Sequence, residues 1–268
     1  KETMKTLIKM FAVTTLLLTA SCSFEELTDK VIPKQESEFA QDYLLVLRDK
    51  DFDYVKKYID PGDGNSITDA KLRQISEYFP GGELLSTKII GLQVSLFDSK
   101  WQGKFSFEFQ FTDGWALANI ILRRSGDVLS VVGFNVIRTE ASQKDINKFT
   151  LTGKSALQYF VLLLAVVAPL FILITTYFCI RTPIPKWKWL WVLFILVGFG
   201  SISINWTTGQ FGFQPLSLKL LSASAVAAGS FAPWIISTSI PLGAILFWFK
   251  RHTYIEANRV NNAVNEDK

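Results

Sequence analysis

The stretch ALQYFVLLLAVVAPLFILITTYFCI, residues 156–180, carries no charged side chain from end to end. A helix needs roughly 20 mainly apolar residues to cross the hydrocarbon core of a bilayer, so this stretch reads as a transmembrane span. Pro169 at its middle is expected to kink the helix and free a carbonyl for a neighbour. Two further uncharged stretches, 189–218 and 220–249, follow it. They predict a membrane domain of three helices, at 156–180, 189–204 and 232–249. A turn at 181–188 and a loop at 205–231, lying outside or at the interface, join them. Gly198 and Gly200 suit close helix approach in the second span, and Pro233 fits the first turn of the third. None of the spans holds a charged residue, which argues against an ion or proton pathway formed by this chain alone.

Charge sets the expected orientation. Arg181, Lys186 and Lys188 fall on one side of the bundle with Lys250 and Arg251, whereas Lys154 and Lys219 stand near the other. Basic residues concentrate on the cytoplasmic side, so the turn at 181–188 and the tail at 250–268 are expected there. Trp187, Trp189 and Trp191 beside that turn suit an interface. The segment before the first span is then external. Between residues 23 and 154, 17 Lys and Arg stand against 20 Asp and Glu, so the formal net charge of +4 comes from the flanks of apolar stretches. That distribution gives no support to nucleic-acid binding.

The amino end agrees. Lys5 and Lys9 precede a short apolar run to Thr19, which is the pattern of an export signal. Leu18-Thr19-Ala20-Ser21-Cys22 resembles a bacterial lipoprotein signal, in which small residues precede a cysteine that is lipidated. The resemblance implies a signal peptide at 1–21 and lipidation at Cys22. Cleavage without lipidation, or an uncleaved anchor, are the other readings of the same residues. The other cysteine, Cys179, lies in the first span and is expected to pack as a small hydrophobe.

A tether (22–35, with Pro33) leads into an exported domain at 36–140, followed by a linker at 141–155. Phe39, Tyr43, Leu44, Val46 and Leu47 recur at helical spacing, and shorter helices are predicted near 52–58 and from 69 to about 78. Residues 60–65, Asp-Pro-Gly-Asp-Gly-Asn, form a turn whose Asp63 and Asn65, with Asp69, superficially resemble a calcium loop without its order of ligands. The period then changes to two. Lys104-Phe-Ser-Phe-Glu-Phe-Gln-Phe111 places four phenylalanines on one face of a strand. Similar strands are expected at 85–97, 115–124 and 128–138. Helices followed by an antiparallel meander with one apolar face make an α+β layer.

This order of elements, with its phenylalanine strand, resembles the NTF2-like family over residues 36–140. The resemblance implies a curved four-stranded sheet wrapped on the first helix to form a cone. The family includes isomerases and many non-catalytic binding modules. An isomerase-type site would need a carboxylate base opposite a tyrosine. Tyr43 and Glu108 are the nearest candidates, but Glu108 alternates with the phenylalanines and should face away from them. The phenylalanine face is either core under the first helix or the lining of an apolar pocket. No P-loop, catalytic Ser/His arrangement or metal cluster is legible, and the single histidine, His252, follows the last span.

The reading is therefore a non-enzymatic protein of the bacterial inner membrane, multi-pass, with its soluble domain in the periplasm and no cofactor. Its expected partners are the lipid bilayer, an envelope protein and an apolar ligand. The alternatives are a periplasmic enzyme using a pocket carboxylate, and an accessory subunit of a membrane transport complex.

Overall fold

A computed structural model describes residues 33–60, 67–97, 100–126, 128–184 and 186–266. The signal at 1–21, Cys22 and most of the tether lie outside the described residues, as do Asp63 and Asn65. The chain divides after Gln143 into two compact units.

In the N-terminal unit, helix α1 (Lys34–Arg48) begins two residues before the expected start, with Pro33 at its N-cap. Ala40, Tyr43, Leu44 and Leu47 repeat at the i, i+3, i+4, i+7 spacing of one helical face, and all four are fully buried. Helix α2 (Phe52–Lys57) is capped by the Asp51 carboxylate, which accepts from the Tyr54 N–H at 3.1 Å. Helix α3 (Asp69–Ser76) is capped in the same way by Thr68. Four strands follow as an antiparallel meander: β1 (Leu84–Phe97), β2 (Lys100–Phe111), β3 (Gly114–Ser125) and β4 (Val128–Thr139). The architecture is α+β.

Register explains the packing of this sheet. Phe107 lies opposite Ile89 on β1 and Ala118 on β3, and Phe109 lies opposite Ala116. Small residues facing large ones let the rings interdigitate. Phe105, Phe107, Phe109 and Phe111 stack in sequence at 5.8–6.3 Å between centroids. All four are buried, with Phe79 edge-on to the last two. Each buried ring contributes on the order of 1.5–3 kcal/mol. The phenylalanine face is core.

The C-terminal unit departs from expectation. After the short helix α4 (Gln143–Ile146), helix α5 (Ala156–Arg181) matches the first predicted span. Ser155 and Gln158 close a capping box at its start. The second predicted span, 189–204, is instead a nine-residue helix α6 (Lys188–Leu196) running into strand β5 (Val197–Asn205). The third, 232–249, is strand β8 (Ile235–Ile240) followed by helix α7 (Leu242–Glu266). The expected loop at 205–231 holds strands β6 (Phe211–Leu220) and β7 (Ala223–Val226). These four strands form an antiparallel sheet in the order β6-β5-β8-β7. In place of three membrane helices, one helix among the described residues is long and apolar enough to cross a membrane.

The reason lies in a period that total hydropathy conceals. Gly198-Phe-Gly-Ser-Ile-Ser-Ile204 ends in alternation, Ile235-Ile-Ser-Thr-Ser-Ile240 sets three small polar residues between isoleucines, and Gly200 adopts a φ of +67° at the register shift between β5 and β6. At ~1.5 Å per residue, α6 spans about 14 Å, half of a hydrocarbon core of roughly 30 Å. Pro241 ends β8 and precedes α7, where its missing N–H costs nothing. At Gly243 a Cβ would fall 2.0 Å from the Phe194 carbonyl oxygen, so α7 starts in backbone contact with the end of α6.

Candidate functional site

Tyr43 and Glu108 are not brought together. The Tyr43 hydroxyl is buried under α1 and donates to the Val55 carbonyl at 3.0 Å; burial pushes the phenol well above its ordinary value. Glu108 projects from the opposite face of β2, buried, and its carboxylate accepts the Gln143 backbone N–H. One group ties α1 to α2 and the other fixes the end of the unit. A base and a phenol facing a common pocket are not formed by this pair. Among the described residues no group of His, Cys, Asp and Glu could hold a metal ion, and His252 is exposed on α7.

The polar chemistry gathers on the C-terminal sheet, where the sequence predicts two spans and the loop between them. Three Ser-x-Ser pairs define it: Ser201 and Ser203 on β5, Ser222 and Ser224 at the start of β7, Ser237 and Ser239 on β8. Ser203, Ser237 and Ser224 are direct neighbours across β5, β8 and β7, so they share one face. Alternating Ile202, Ile204 and Ile236 take the other face, where Ile204 and Ile236 pack with Val161 and Trp206. Ser201, Ser222, Ser237 and Ser239 are all buried. A turn through Leu221 and Ser222, both at positive φ, carries the chain from β6 to β7. It brings Lys219 over the serine face.

There Lys219 Nζ donates to Ser237 Oγ at 2.5 Å and to Ser224 Oγ at 3.2 Å, and the two hydroxyls lie 2.7 Å apart. Lys219 pairs with Gly198 in the β5–β6 register. A Cβ on Gly198 would come within 2.1 Å of Ser222 Oγ and 2.8 Å of Ser239 Cβ. Glycine at this position lets Ser222 and Ser239 pack directly against the β5 backbone. The Ser222 and Ser239 hydroxyls are buried with no hydrogen-bond partner among the described residues.

Next to the sheet lies a cavity of about 370 Å³. Leu164, Val167 and Phe171 of α5 form one wall; Phe199, Phe213 and Ile240 form much of the other. Ser201, Thr238 and Ser239 contribute the few polar atoms on its border. The arrangement can hold an apolar chain. The signals for these features in the sequence are the three Ser-x-Ser pairs and a lone lysine. Comparison with protein-family models, with curated proteins and with solved structures finds no match to this chain.

Proposed function

We propose that this is a membrane-anchored binding protein of the bacterial envelope, held by α5, with its N-terminal α+β unit exported. The single observation that carries the reading is α5 itself. It has 26 residues, a mean hydropathy of 2.6 over its most apolar window, and only 22% of that window buried. Phe160, Leu163, Leu170 and Ile174 are all more than half exposed, which suits lipid and not water. Each end of the helix also carries an aromatic group. Tyr159, Trp206 and Phe149 cluster at its start, and Trp187 and Trp189 lie exposed just past its end, beside the basic turn. With Arg181, Lys186 and Lys188 at the cytoplasmic face, residues before α5 lie outside. In this reading the N-terminal unit is an NTF2-like module, supported by helices preceding a four-stranded meander packed on α1.

The work proposed for the protein is binding without catalysis. The phenylalanine interior is filled by its own rings, which shifts partner recognition to the outer surface of the exported unit. An apolar ligand finds its space in the C-terminal cavity. Reporter fusions after residues 143 and 266 test the threading. An enzyme active only outside at the first position and only in the cytoplasm at the second is expected; the reverse result overturns the anchor. Lipid analysis of the purified protein tests the ligand. An acyl species retained by the wild type and lost in Ala168→Phe, which fills the cavity wall, is expected, and equal retention would refute that site.

A further inference from the structure

We propose that Lys219 and the serines around Gly198 form an oxyanion-binding site set into the C-terminal unit. The first argument is a count of hydrogens. An ammonium group offers three donors and no acceptor, and each hydroxyl offers one donor. Lys219 uses two of its donors on Ser224 and Ser237, and one of those serines donates to the other. One ammonium hydrogen and one hydroxyl hydrogen are left over within the triad. The buried Ser222 and Ser239 hydroxyls, which lie against Gly198, add two more unused donors. These unused donors, together with the charge of Lys219, suit an anion, whose oxygens accept and do not donate.

The second argument is charge. The sequence holds no Asp or Glu from residue 146 to residue 255. Among the described residues no carboxylate pairs with Lys219, which leaves its charge available to an anionic ligand. Depth sharpens this. Leu221, two residues beyond Lys219, donates its N–H to the Leu196 carbonyl and packs in the cluster of Ile172 and Ile195. Ile172 lies near the middle of α5. If α5 crosses a bilayer, Lys219 begins at mid-depth, where an ionisable side chain marks a pathway or ligand.

The third argument selects the class of anion. Donors stand in two groups, Lys219 with Ser224 and Ser237, and Ser222 with Ser239 two residues along the chain from those serines. A ligand with several acceptor oxygens on one centre serves both, whereas a halide serves one. A free phosphate and the phosphate of an anionic lipid share this chemistry. The lipid source rests on the membrane reading above; the free source does not.

The test is the thermal unfolding midpoint of the full chain in detergent, with four probes at matched ionic strength: sodium phosphate, sodium chloride, phosphatidylglycerol and phosphatidylcholine. A rise of roughly 5–10 °C is expected at about 100 times the dissociation constant. It should appear with phosphate (a free source) or with phosphatidylglycerol (a lipid source), and vanish in Lys219→Met but persist in Lys154→Met. A rise with chloride equal to that with phosphate means screening alone. A rise with phosphatidylcholine equal to that with phosphatidylglycerol means general lipid stabilisation. Either result overturns the site, as does the absence of any shift in the wild type, which needs no variant to fold. Reporter fusions that contradict the membrane threading would leave the phosphate arm standing on its own.

Discussion

The two sheets of this protein carry opposite patterns. In the N-terminal sheet, β2 buries Phe105, Phe107, Phe109 and Phe111 and turns Lys104 and Ser106 outward. In the C-terminal sheet, Ser201, Ser237 and Ser239 are buried, while Phe211, Phe213, Leu218 and Leu220 on β6 are at least half exposed and Leu216 is 99% exposed. Both are antiparallel, and both have four strands. What differs is the solvent each pattern suits. Water rewards the first arrangement; a sheet with polar groups inside and apolar groups outside is the arrangement found where lipid lies outside. The inversion is an argument for the membrane reading that does not depend on α5.

The largest effect that could break this comparison lies in the N-terminal core. Phe107→Ala is expected to cost about 3–5 kcal/mol, because the ring is stacked between Phe105 and Phe109 and the site cannot collapse around the loss. Chemical denaturation of the full chain, followed by the fluorescence of its tryptophans, gives the value. A loss below about 1 kcal/mol would mean that the face is loosely filled, and would reopen it as a ligand pocket.

Next comes the helix contact that lets α6 end where β5 begins. Gly243→Ala puts a Cβ 2.0 Å from the Phe194 carbonyl oxygen and 2.8 Å from the Ile195 N. Backbone atoms cannot step aside as a side-chain tip does, so α7 must shift, at about 1–3 kcal/mol. Thermal unfolding in detergent reads this directly. Wild-type stability would show that α6 and α7 are further apart than the fold described.

How much of this was legible depended on which signal each residue sent. The phenylalanines of β2 gave both a period and a face, and the strand pattern of the N-terminal unit followed from them to within a few residues at most edges. Helix α1 was legible because Tyr43, Leu44 and Leu47 share one stripe. At 197–205 and 235–240 the signal was ambiguous. Isoleucine, serine and glycine there satisfy a count of apolar residues as well as they satisfy alternation, and β-branched enrichment was the deciding cue. The sequence places Lys219 in a loop on the outer side and does not show its serine partners. Its meaning depends on the turn at Leu221 and Ser222, and no glycine or asparagine there signals positive φ. The pairing of Tyr43 with Glu108 was rightly doubted from parity alone.

A smaller effect, with a pH signature, comes from Tyr43. Tyr43→Phe removes the hydrogen bond to the Val55 carbonyl and leaves that acceptor buried, at about 1 kcal/mol near neutral pH. The wild-type phenol is held above its ordinary value of about 10 by burial. Above that pH the unfolded chain releases the proton and the folded chain keeps it, so stability falls as pH rises. Below it the contribution is complete. Alkaline denaturation curves of wild type and Tyr43→Phe should therefore converge above about pH 10. Parallel curves would place Tyr43 in contact with solvent, and the closed core of the N-terminal unit would be in error.

The smallest expected effect is the most pointed, because it sets one phenylalanine against another. Phe213 on β6 is 63% exposed, so Phe213→Ala should change stability in detergent by no more than about 0.5 kcal/mol, where Phe107→Ala costs several. Micelle chains cover the position in both variants, and little apolar surface moves between environments on unfolding. The position is also a sensor of what surrounds it. A nitroxide placed by Phe213→Cys should be broadened by a lipid-soluble relaxing agent and protected from a water-soluble one. Equal access to the water-soluble agent would put β6 in solvent and remove the inversion. A cost for Phe213→Ala comparable to that for Phe107→Ala would mean that another protein surface covers β6, and the contrast between the sheets would then describe an interface instead of lipid.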